Sequence, residues 1–167
     1  MPPGAYPTIT ERPPRPKSPT GSLLLIGGAA LYIGAAYMPW YERDGNTLTG
    51  MDTFAKDYGA DTFEAPGKAW VVLGVIVAAL GIATFFAGRQ LALAIVTLVM
   101  SALSLFVSLI GLAVVDDQKK FDELISTPGS TGIGPVLGIV AMLAAVAGSI
   151  VVLAKRRRPV VPPTSSW

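Results

Sequence analysis

Residues 91–115 read LALAIVTLVMSALSLFVSLIGLAVV, an apolar run without a single charged side chain. An α-helix rises ~1.5 Å per residue, so about 20 such residues cross a hydrocarbon core of ~30 Å. No water reaches backbone amides at that depth, and a helix is the form in which a lone segment satisfies them itself. Leu23–Met38, Ala69–Ala87 and Ile133–Ala154 have the same character. The expected fold is an all-α membrane protein, an antiparallel four-helix transmembrane bundle with spans at about 22–39, 69–88, 91–115 and 133–154. The transmembrane domain then occupies residues 22–155, with a proline-rich basic tail on either side, 1–21 and 156–167.

Composition agrees, with hydrophobic residues at 51% and charged ones at 14%. Cysteine and histidine are both absent, which removes disulfides, thiolate ligands and the commonest neutral-pH proton shuttle. The net charge of +2 hides an asymmetry. Arg12, Arg15, Lys17, Arg89 and Lys155, Arg156, Arg157, Arg158 fall on one side of the membrane against the single acid Glu11. The other side carries Arg43, Lys56, Lys68, Lys119 and Lys120 against ten acids, Glu42, Asp44, Asp52, Asp57, Asp61, Glu64, Asp116, Asp117, Asp122 and Glu123. Lys and Arg concentrate on cytoplasmic loops, so both termini are expected in the cytoplasm of a bacterial inner (plasma) membrane.

Leu23–Met38 has features of a cleaved signal peptide, but its leader is long and proline-rich. Tyr37-Met38-Pro39-Trp40-Tyr41 reads as an interfacial end to an uncleaved span, and Trp40, Tyr41 and Trp70 are expected as interfacial anchors. In the loop that follows, Thr49-Gly50-Met51-Asp52 resembles a capping box. Met51, Phe54, Ala55 and Tyr58 then recur at i, i+3, i+4 and i+7, which predicts a short amphipathic helix in the first outer loop. Gly88-Arg89-Gln90 predicts a tight inner turn. The third helix is expected to continue beyond the membrane through Asp116–Ile125, where Asp116 and Lys120 stand at ion-pair spacing.

Between helices in lipid, close backbone contact replaces the hydrophobic drive, so small residues mark the packing faces. In the third span Ala94, Thr97, Ser101, Ser104, Ser108 and Gly111 alternate at three and four. Gly134, Gly138, Ala141, Ala145 and Gly148 do so in the fourth. Shorter seams are expected at Gly27, Ala30 and Gly34, and at Gly74, Ala78 and Gly81. The Ser/Thr seam admits a polar solute path, or hydroxyls that bond the preceding turn inside a closed interface.

No ionisable residue lies inside a span, and no phosphate loop, nucleophile elbow or metal-ligand motif is present. Asp116-Asp117 and Asp122-Glu123 have oxygen ligands suited to a divalent cation, but the interposed Lys119 and Lys120 fit a solvated helix end better. No catalytic, cofactor-binding or metal-binding residue is expected, and the chain is read as non-enzymatic, with no nucleic-acid partner. Lys155, Arg156, Arg157 and Arg158 form a stop-transfer cluster suited to anionic lipid headgroups.

The proline-rich basic leader, Met38-Pro39-Trp40-Tyr41, the acidic outer loop, the tight inner turn and the basic tail together resemble the uncharacterised four-span envelope proteins of actinobacteria. The layout is also similar to claudin-like tetraspans, whose paired loop cysteines are absent. Three functions are compatible with these features. One is an accessory or scaffold subunit of a larger inner-membrane complex, packed against other membrane protein subunits or itself. The others are a small channel along the Ser/Thr face and a phage-type holin or immunity protein.

Overall fold

The computed structural model describes residues 19–56, 61–87, 91–124 and 129–154. Residues 1–18 of the leading tail, the trailing tail with Lys155–Arg158, and the Gly88-Arg89-Gln90 turn lie outside them, and the first helix begins at Pro19, inside the expected tail. Four helices are long and apolar enough to cross a membrane. They are α1 (Pro19–Tyr37), α2 (Gly67–Ala87), α3 (Leu91–Leu124) and α4 (Ile133–Ala154). Each packs on its sequence neighbour, and α1 closes the ring on α4, the most extensive of the contacts. The outward faces carry large apolar side chains, among them Leu23, Val72, Val99, Phe106 and Val140. That leaves the bundle sheathed in hydrocarbon-compatible surface.

The α1–α4 contact is close because backbone meets backbone. A Cβ on Gly28 would lie 2.6 Å from the Ala141 carbonyl oxygen, and one on Gly148 would lie 2.7 Å from that of Gly21. This corrects the seam expected in the first span. Gly27 and Ala30 are exposed, and a Cβ on Gly27 or Gly34 meets no other residue. The packed face of α1 is instead Gly21, Leu25, Gly28, Ala29, Tyr32, Ala35 and Ala36. Small residues occur on both faces of α1, so spacing alone does not choose between them.

The loop between α1 and α2 departs from expectation in kind. Its described residues form β1 (Pro39–Arg43), β2 (Asn46–Thr49), β3 (Thr53–Lys56) and β4 (Asp61–Glu64) where the amphipathic helix was expected, and Tyr58 of that helix lies outside them. Strands β2 and β1 pair, and β1 is also joined by β5 (Ser130–Thr131). The β1–β2 hairpin turns on Asp44-Gly45, where φ is 48° and 77°. Positive φ at both central residues suits the right-handed twist of paired strands, and Asp-Gly accepts it readily.

The capping-box residues are used as a turn. The Asp52 carboxylate accepts hydrogen bonds from the Thr49 N–H at 2.7 Å and its hydroxyl at 2.9 Å. The chain then enters β3, where Thr53 is exposed and Phe54 buried. Phe54 packs on Trp40, with ring centroids 6.4 Å apart, and β3 lies against α3. A tertiary anchor and strand pairing override the local helical spacing.

Candidate functional site

Beneath this β cap the bundle is closed by aromatic rings. Register shifts between Pro39 and Tyr41, so β1 carries a bulge at Trp40. A bulge lets two consecutive side chains face inward where pleating would alternate them. Trp40 and Tyr41 are accordingly both buried. The Trp40 indole N–H donates to the Ala35 carbonyl at 2.9 Å, satisfying a group in the last turn of α1. Trp70 enters from α2, stacks on Tyr32 of α1 at 4.6 Å and meets Trp40 at 4.5 Å. It also donates to the Val107 carbonyl of α3 at 3.4 Å. A Cβ on Gly138 of α4 would collide with its ring. Trp70, itself on α2, therefore touches the other three helices. The three residues expected as interfacial anchors lie inside the capped end, away from lipid.

A polar cluster sits beside the plug. Asp122, on the extension of α3, is fully buried. Its carboxylate accepts from the Tyr41 hydroxyl at 2.5 Å, the Arg43 guanidinium at 2.7 Å and the Gln118 amide at 3.1 Å. This corrects the solvated-end reading for Asp122, because a buried carboxylate needs such partners. Burial, then the Asp122 hydrogen bond and charge, push the Tyr41 phenol well above its ordinary pKa of 10.0, so it stays a donor. Gly129 leaves room for the phenol; a Cβ there would strike the Tyr41 hydroxyl. The cluster rivets the cap to α3. Farther out, the Lys120 ammonium beside Asp116, 2.5 Å away, lowers the carboxyl's pKa, while its own is raised. Among the described residues no group of three or more His, Cys, Asp or Glu is placed to hold a metal ion.

Ala94, Thr97, Ser101, Ser104, Ser108 and Gly111 of α3 are all buried, as are Gly134, Gly138, Ala141, Ala145 and Gly148 of α4. The hydroxyls serve the helices themselves. Thr97 donates to the Leu93 carbonyl at 2.7 Å, Ser104 to Met100 at 2.9 Å and Ser108 to Ser104 at 2.8 Å. Tyr32 reaches across from α1 to the same Ser104 carbonyl at 3.1 Å, and Ser101 and Ser149 face each other at 3.4 Å.

A groove of about 420 Å³ opens on the outside of α3 beside β5, lined by Leu109, Leu112, Ala113, Val115, Asp116, Lys119 and Thr131. Tyr41 and Asp122 stand 81 positions apart in sequence, which hides their pairing from local spacing. One signal for the cap was present, the Asp44-Gly45 dipeptide of a two-residue hairpin.

The family model for the MiaB C-terminal domain matches residues 17–160. That covers the whole bundle, and the chain belongs to this family. The finding replaces the resemblance to actinobacterial four-span envelope proteins, which rested on layout. No curated protein matches the chain. No solved structure matches it either.

Proposed function

We propose that this member of the MiaB C-terminal domain family is a non-enzymatic accessory or scaffold subunit, docked on other membrane proteins or a second copy through the outer face of α1. One observation carries the reading. Gly27, Ala30 and Gly34 follow at i, i+3 and i+7 and lie away from the bundle's own contacts. In lipid such a row lets a further helix approach closely, the interaction that holds membrane helices together. The aromatic plug and the back-bonded hydroxyls favour a protein that works through its outside over one that conducts along its core. The cationic tails support a cytoplasmic position for both termini, with Lys155–Arg158 suited to anionic headgroups.

Native electrophoresis after mild detergent extraction tests the proposal. The unmodified chain should migrate in an assembly heavier than its monomer, and the double variant Gly27→Leu/Gly34→Leu should run as the monomer. Both running as monomers would refute it.

A further inference from the structure

The groove beside α3 crosses the edge of the membrane. Val115 is the last residue of the charge-free run and Asp116 the first charge after it. Leu109 and Lys119 are ten residues apart on one helix, about 15 Å, or half the hydrocarbon thickness. The lining changes character along that length. Leu109, Leu112 and Ala113 form an apolar floor at acyl-chain depth, while Asp116, Lys119 and Thr131 line the headgroup end. The volume falls within the ordinary range for a small-molecule site.

Charge narrows the occupant. Lys120 is held by Asp116 at 2.5 Å and Asp117 at 3.8 Å, while Lys119 lines the groove itself. Asp116, Asp117 and Glu123 outnumber Lys119 and Lys120 on this stretch of α3, so a purely anionic headgroup meets net repulsion. A headgroup carrying both phosphate and a primary ammonium meets complementary charge at each end. We infer that the groove seats one phospholipid with an amine-bearing headgroup, its chain on Leu109, Leu112 and Ala113 and its phosphate on Lys119. The ammonium then lies toward the acids of the α3 extension and donates hydrogen bonds that a quaternary choline lacks. This site faces the leaflet on the capped side and stands independently of the α1 docking face.

Native mass spectrometry tests the assignment on the full chain, released from vesicles of equimolar phosphatidylethanolamine, phosphatidylglycerol and phosphatidylcholine. One phosphatidylethanolamine should be retained about fivefold over either competitor, the equivalent of roughly 1 kcal/mol, the net worth of one hydrogen bond. Lys119→Gln should lower retention of all three lipids, and Asp116→Asn/Asp117→Asn should bring phosphatidylethanolamine down to parity with phosphatidylcholine. Ala113→Leu, which narrows the apolar floor without changing charge, should lower retention of phosphatidylethanolamine. Equal retention by the unmodified chain, a preference for phosphatidylglycerol, or an unchanged preference in Asp116→Asn/Asp117→Asn would each overturn it.

Discussion

Gly27 and Gly28 are neighbours with opposite duties, and a single methyl group separates them experimentally. On Gly28 it would press against the Ala141 carbonyl, a backbone atom that moves only with its helix. Gly28→Ala should therefore destabilise the bundle by roughly 1–3 kcal/mol, the usual cost of overpacking. Gly27→Ala, with open space before it and the better helix former in place, should not lower the melting temperature of the monomer in detergent. Equal effects at the two positions would place the packed face of α1 elsewhere. Asp122 is the second decisive residue. Asp122→Ala leaves the buried Tyr41 hydroxyl without its acceptor, at about 2–3 kcal/mol. Arg43, whose side chain is 39% exposed, regains water and adds little. Faster hydrogen exchange over Tyr41–Thr49 should report the loss. The sequence marked Asp122 as one acid of a charged helix end, because Tyr41 and Arg43 reach it only through the folded cap.

At the scale of elements, the four helices were legible because charge-free runs of that length have few alternatives in lipid. In α3 and α4 the small residues that recur at helical spacing are buried, as expected of positions where helices approach closely in lipid. The β cap was not legible. Met51, Phe54, Ala55 and Tyr58 fit a helix locally, and only contact of Phe54 with Trp40 and pairing of β3 with β4 decide for strands. The bulge at Trp40 has a consequence for titration. Tyr41 is buried against a carboxylate, so its phenol should remain protonated through the ordinary range near pH 10. The cap's stability is therefore complete below that range and declines as alkali deprotonates the unfolded tyrosine first. In an ultraviolet titration, Tyr41→Phe should leave the amplitude near pH 10 unchanged. A loss of amplitude there would mean an exposed phenol. The Asp116–Lys120 pair runs the other way, supporting the α3 extension above the ordinary carboxylate range and fading as acid protonates Asp116.

Taken whole, the molecule closes itself with the small residues and hydroxyls of α3 and α4, and it seals the capped end with Trp40, Trp70 and Tyr32. Such a body has surfaces for others to use, and the spare row on α1 is the one suited to another helix. Site-directed photo-crosslinking in native membranes tests this most directly. A benzophenone side chain replaces Ala30 in one variant and Val75, exposed on α2, in another. The proposal predicts a discrete higher-mass adduct from position 30 and none from position 75. No adduct at position 30, or the same products from both positions, would contradict it.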